Sequence, residues 1–246
     1  MKSNEEIQKH IRCRRGDISP FVIVPGDPGR VERIVEQMDS AKLIAQNREY
    51  IVYTGKTRGI PVSVCSTGIG GPAASIAFEE LIRVGAEAFT RVGSAGGRQK
   101  ETPIGTPVVI TASYRGEGTS MVYLPAEFPA VADLDVTTAL VTALKEKNEE
   151  YRVGIGYTRD AYYVQDQKLN ELLTVAGVEA AEQEASILFI IGSLRHVKTG
   201  AIVATDSNIW FADQPSLEEK QKLFENGEKK AIAAALRAVQ ILAEDP

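Results

Sequence analysis

Two glycine turns that carry arginines are the first residues whose types and spacing suggest chemistry. Gly26-Asp27-Pro28-Gly29-Arg30 follows the apolar run Phe21–Val24, and Arg91-Val92-Gly93-Ser94-Ala95-Gly96-Gly97 closes the run Ala88–Val92. An oxyanion needs backbone N–H groups, hydroxyl donors and planar guanidinium forks. Gly26, Arg30, Arg91 and Ser94 supply all three kinds, against the plainer alternative of two surface turns with solvated arginines. A third candidate is Glu182-Gln183-Glu184, within a stretch whose apolar spacing predicts a helix over Val178–Leu194. Residues two apart on a helix diverge, so one carboxylate would face inward and the other solvent. An inward carboxylate needs donors, and a ligand diol offers two; a solvated helix edge is the simpler reading. Asp206 ends the run Ala201–Thr205, a place for an acid in catalysis or for a helix cap. Tyr162-Tyr163 offers an aromatic face or core packing. His10 and His196 show neither metal spacing nor a Ser or Cys partner.

One motif misleads. Gly68-Ile69-Gly70-Gly71-Pro72-Ala73 matches G-x-G-x-x-A between a predicted strand and helix. A dinucleotide site also wants an acid at the end of the next strand. Here Arg91 stands there, so the glycines are read only as permitting close backbone approach.

These loops need strands that end together. Short apolar runs at Phe21–Val24, Tyr50–Tyr53, Val62–Cys65, Ala88–Val92, Pro107–Ala112, Arg152–Tyr157 and Ala201–Thr205 predict strands. Helical spacing marks Arg30–Met38, Ser75–Val84 and Val136–Lys147, and Ser216-x-x-Glu219 predicts the cap of a helix running to about Leu242. The alternation predicts an α/β fold: one domain over residues 1–246, with a mixed central sheet flanked by helices on both faces. Such sheets bind ligands beyond the carboxyl ends of their strands. The 246 residues carry a net charge of −5, which disfavours nucleic acid as a partner. The two cysteines, Cys13 and Cys65, form no disulfide framework, and no apolar run is long enough for a membrane span. A reduced, cytoplasmic setting is expected.

Several stretches in order resemble the nucleoside phosphorylase-I family, in its uridine phosphorylase and hexameric purine nucleoside phosphorylase branches. They are VPGDPGRVERI, NREY, STGIGGPAASIAFEEL, RVGSAGG, EFPAVADLDVTTALV and VEAAEQEAS. The resemblance implies phosphorolysis of ribonucleosides to base and ribose 1-phosphate, with phosphate as co-substrate and no metal or organic cofactor. It implies phosphate binding by Gly26, Arg30, Arg91 and Ser94, joined by Arg48 across a subunit interface. His10 would reach the ribose 5′-hydroxyl across the same interface, and Glu184 would hold the ribose diol beside Gln183. Tyr162 would pack on the base. Asp206 matches the acid that protonates a purine, and Lys220 falls where that branch has an activating arginine. Gln183 stands where the family has methionine, and Ala95 where it has Thr or Cys. Asp166 and Lys168 match the Gln-x-Arg pair with which uridine phosphorylases hold uracil. The expectation is a homo-oligomer, a dimer at least and a hexamer by resemblance, that favours purine nucleosides over uridine. A nucleosidase would lack the arginine pair; a non-catalytic nucleoside-binding protein is the reading from another class.

Overall fold

The computed structural model describes residues 6–244. Its elements follow the chain as β1 (Phe21–Ile23), α1 (Pro28–Val35), β2 (Ser40–Asn47), β3 (Tyr50–Thr57), β4 (Ile60–Cys65), α2 (Gly71–Val84), β5 (Ala88–Gly97) and β6 (Pro107–Gly116). Then come α3 (Thr119–Tyr123), β7 (Ala130–Val131), α4 (Leu134–Glu146), β8 (Arg152–Arg159), α5 (Gln167–Val175), β9 (Val178–Glu182), α6 (Ala185–Arg195), β10 (Lys198–Asn208) and α7 (Leu217–Glu244). The strands form one mixed sheet. One apolar layer, with Phe78, Leu81 and Phe189, packs α2 and α6 on one face. Another, with Ile34, Leu140, Ile232 and Val239, packs α1, α4 and α7 on the other. The expected architecture is therefore present. Among the described residues no helix is long and apolar enough to cross a membrane.

Part of the sheet closes on itself. β5 pairs β10 in parallel, β10 meets β6 antiparallel, β6 pairs β8 and β8 pairs β9 in parallel, and β9 returns antiparallel to β5. Closure removes the edges that an open sheet would expose. The other edge of β5 is shared: β1 pairs its start at Ala88–Thr90, and β9 pairs its end at Gly96 and Gly97. Between them Arg91–Ala95 have no strand on that edge. This splay is the analogue of a topological switch point. Gly96 and Gly97 pair β9 and β10 at once, and a Cβ on Gly97 would lie 3.0 Å from Asn208 Nδ2. A side chain there would press on the Asn208 amide, which must shift to admit it.

Local chemistry sets the element ends. The Asp27 carboxylate accepts the Gly29 N–H at 2.9 Å and Pro28 opens α1, as N-caps and N1 prolines do. Ser216 Oγ accepts the Glu219 N–H at 3.2 Å, the expected cap of α7. The helix expected over Val178–Leu194 is corrected. Val178–Glu182 is a strand, and the helix starts only at Ala185. Alanine-rich VEAAE carries a helical preference, but pairing with β5 and β8 overrides it. The strand at Ala88–Val92 likewise continues to Gly97.

Candidate active site

A cavity of about 1280 Å³ opens at the splay of β5, lined among others by Gly26, Arg30, Arg91, Ser94, Glu184 and Asp206. Gln183 and Tyr162 line it too. Residues distant in sequence thus converge on one space, and the arginines are not solvated turns. Arg30 is 5 % and Arg91 3 % exposed.

The β9–α6 turn holds Arg91. Glu182 Oε2 accepts Arg91 Nε–H at 3.0 Å and the N–H groups of Glu184 and Ala185 at 2.7 and 2.8 Å. Glu182 therefore caps α6 and clamps Arg91 together. Its Oε1 accepts the Thr158 hydroxyl at 2.5 Å. Glu184 Oε2 pairs with Arg91 Nη2, and Oε1 accepts the Gly70 N–H at 2.6 Å. Neither carboxylate faces bulk solvent, because both sit at a strand-to-helix turn, where the helical divergence assumed from sequence does not apply. Burial pushes the Glu184 carboxyl above its ordinary range; Arg91 opposes this and Glu182 adds to it. Burial also works against the Arg91 charge, but Glu184 and Glu182 outweigh it and hold the guanidinium protonated. Arg91 Nη1 is buried with no acceptor. A buried unpaired donor is costly, and at a cavity wall it marks a place for an anionic oxygen.

Arg30 is fixed from another direction. Its Nε donates to Glu228 Oε1 at 2.5 Å and its Nη1 to the Val92 carbonyl at 3.3 Å. Arg33 Nε donates to Glu228 Oε2 at 2.6 Å. Glu228 escaped the sequence reading, although it sits on α7 one turn before the buried Ala231 and Ile232, on the apolar stripe of a long helix. The Gly68–Gly70 turn approaches closely: Gly68 N–H donates to the Gly26 carbonyl at 3.0 Å.

The far end of the cavity has other chemistry. Strand rise of about 3.3 Å per residue sets Arg98, one residue past the end of β5, roughly 23 Å along the chain from Arg91. Arg98, Arg159, Tyr162, Gln165 and Asp206 line this end. Asp206 Oδ1 accepts the Ser207 hydroxyl at 2.7 Å. Gln183 Nε2 donates to the Asp160 carbonyl at 2.9 Å. The guanidinium of Arg159 lies 5.8 Å from the centre of the Tyr162 ring. Asp166 and Lys168 are not among the lining residues. Asp166 caps α5, accepting the Leu169 N–H at 3.0 Å, and the neighbouring amide Gln165 lines the cavity instead.

Three further sequence candidates lie outside this wall. Arg48 is exposed at the β2–β3 turn, where its φ of 55° is left-handed. His10 Nδ1 sits 2.6 Å from Glu80 Oε1. Lys220 is on the first turn of α7, half-buried, and does not line the cavity.

An arginine-rich cavity at the splay of an α/β sheet, a buried carboxylate in its middle and an aromatic far end thus make one candidate site. The Phosphorylase superfamily model matches residues 20–240. The chain is 39 % identical to the uridine phosphorylase of Thermococcus kodakarensis, over 99 % of this chain and 89 % of that one. It is 38 % identical to the guanosine phosphorylase of Halorubrum lacusprofundi, over 96 % and 99 %. A crystal structure of uridine phosphorylase from Vibrio fischeri ES114 superposes with a TM-score of 0.90 at 34 % identity, covering 98 % and 99 % of the two chains. The chain belongs to the nucleoside phosphorylase-I family of this superfamily, and it is a pentosyltransferase acting on nucleosides and phosphate.

Proposed function

We propose that the enzyme phosphorolyses ribonucleosides carrying oxo bases, with 6-oxopurine nucleosides preferred. Phosphate is the co-substrate, and no other cofactor enters this reaction. The observation that carries the reading is the Arg91 guanidinium, clamped by Glu182 and Glu184 with Nη1 left without an acceptor. Phosphate held there and by Gly26, Arg30 and Ser94 attacks C1′ as the bond to the base nitrogen breaks. Its charge stabilises the oxocarbenium-like transition state. Glu184 accepts hydrogen bonds from the ribose diol, with Gln183 beside the sugar. Tyr162 packs on the base, and Asp206 delivers the proton that a leaving purine needs.

The phosphate end also supports a dimer as the minimal unit. Three guanidiniums, Arg30, Arg33 and Arg91, face four carboxylates, Asp27, Glu182, Glu184 and Glu228. The carboxylates outnumber the cations, so an extra cation must draw in the anion. Exposed Arg48 is the candidate donor to a neighbouring copy, with His10 reaching the same neighbour's ribose. Two copies exchanging these residues make a symmetric contact, and further copies make the hexamer. Lys220 would assist Asp206 only after α7's first turn moves toward the cavity. The buried free thiols of Cys13 and Cys65 suit a reducing cytoplasm.

Uridine is the second reading, favoured by Gln165, whose amide can serve a uracil edge. A nucleoside panel with and without phosphate separates the outcomes. The expected result is phosphate-dependent release of ribose 1-phosphate, faster with inosine or guanosine than with uridine, and an Asp206→Ala loss of purine cleavage of ~10²–10⁴-fold. Base release without phosphate would overturn the phosphorylase reading. Unchanged inosine cleavage in Asp206→Ala would remove the acid and favour uridine.

A further inference from the structure

The base end carries two cations with which its own carboxylates form no ion pair. Arg98 is 1 % exposed, lines the cavity, and has a buried Nε with no hydrogen-bond partner. Its Nη1 reaches only the Gly97 carbonyl, at 3.4 Å. Arg159 donates to the Val164 carbonyl at 3.0 Å. Among the described residues no carboxylate forms an ion pair with either. The charged and titratable groups facing Arg98 are Arg159 and Tyr157 of β8 and Asp206 of β10. The side chain of Glu179 on β9 turns to Thr102, with Oε2 3.4 Å from Oγ1. Two guanidiniums thus meet Asp206, with Asp166 nearby beside Tyr157; neither carboxylate pairs with them, Asp166 caps α5, and Asp206 has its own task in the proposed reaction. A desolvated guanidinium without a counter-ion is costly, and a structure keeps one where a ligand supplies the charge.

We infer that this end selects a base that is itself anionic near neutral pH, namely a dioxopurine such as the xanthine of xanthosine. The inference rests on the phosphorylase reading and narrows its substrate. A dioxopurine is a uracil ring fused to an imidazole. Its imidazole nitrogen takes the proton from Asp206, as a purine requires. Its two carbonyls match the demands that a uracil edge makes on Gln165 and a guanidinium. Its ring N–H ionises near neutrality and spreads charge over nitrogen and oxygen, the planar acceptor that a guanidinium fork fits. One ligand thereby uses the purine-type acid, the amide and both unpaired arginines. Inosine leaves one carbonyl partner and the counter-charge missing, and adenosine lacks both carbonyls.

The test compares kcat/KM for xanthosine and inosine at saturating phosphate, from mildly acidic to neutral pH, in wild type, Arg98→Met and Arg159→Ser. Direct calorimetry of xanthine and hypoxanthine binding, with phosphate present, gives a readout independent of turnover. Xanthosine should exceed inosine, and its advantage should grow as its ring N–H ionises. Each substitution should lower the xanthosine-to-inosine ratio by ~10–100-fold, the effect of one charged hydrogen bond. Arg159 is half-exposed, so its variant keeps the test valid if Arg98→Met folds poorly. Equal use of the two nucleosides by wild type, or equal losses on both in the Arg159→Ser variant, would overturn the inference. Inosine phosphorolysis would then still stand, whereas failure of every nucleoside would overturn the parent reading instead.

Discussion

The two ends of the cavity treat buried arginine in opposite ways. At the phosphate end, Arg91 is braced by Glu182 and Glu184, and Arg30 shares Glu228 with Arg33. Those guanidiniums are held in place before any ligand arrives, which is what transition-state stabilisation by fixed charges demands. At the base end, Arg98 is as deeply buried but has no carboxylate partner. Arg91 is thus part of the folded framework as well as of the site, whereas Arg98 weakens the framework and gains its partner only from a ligand. Substitutions at the two ends should therefore change stability with opposite signs.

The largest effect is expected at Arg91. Arg91→Ala leaves Glu182 and Glu184 buried side by side with no cation between them. Removing one partner of a buried pair costs about 3–5 kcal/mol. The melting temperature should fall and the KM for phosphate rise sharply. A variant that melts like wild type with unchanged phosphate kinetics would erase the contrast. Glu228→Gln should act more mildly, because an amide still accepts one hydrogen bond. Weakened charged hydrogen bonds to Arg30 and Arg33 set a scale of about 1.5–3 kcal/mol. Phosphate KM should rise while the KM for nucleoside stays near wild type, and an equal rise in both would show that Glu228 merely supports the fold.

The same contrast decides what could be read from the chain. Gly26, Arg30, Arg91 and Ser94 were legible because glycine turns at strand ends are local signals, and all four do line one cavity. The mixed sheet with helices on both faces followed from the alternation of apolar periods. The carboxylates that hold the arginines were less legible. Glu228 is nearly 200 residues from Arg30, a pairing created only when α7 crosses the sheet. Glu182 and Glu184 were placed on one helix because VEAAE contains no Gly or Pro to announce a break, and the strand it forms exists only by pairing. Closure of the ring was hidden for the same reason. Arg98 and Gln165 stand directly beside positions already singled out, Gly96-Gly97 and Asp166. They were passed over because nothing local distinguishes a cavity arginine or amide from a solvated one.

The smallest expected effect is the most pointed test, since its sign is unusual for a buried residue. Burial depresses the Arg98 guanidinium to about 10, with Arg159 pushing the same way, and Tyr157 and Asp206 only partly offset this. The folded-state value lies below the unfolded one, so folding disfavours the charged form. At neutral pH both states hold the proton, and the folded state bears the full penalty. Once the pH climbs past about 10 the folded chain releases the proton first. The unfolded chain then binds more protons, and this group's contribution to stability rises with pH. Arg98→Met removes the charge and keeps an unbranched apolar stem of similar reach. Replacing a poorly compensated buried charge with an apolar side chain is often stabilising, here by about 1 kcal/mol, or a rise of roughly 2–4 °C in melting temperature for a chain of this size. Calorimetric melting at neutral pH and again above pH 10 checks both parts. The variant should melt higher at neutral pH, and its advantage should shrink in alkali. A lower melting temperature at neutral pH would mean that Arg98, like Arg91, is braced within the fold, and the two ends of the cavity would then differ in ligand but not in physics.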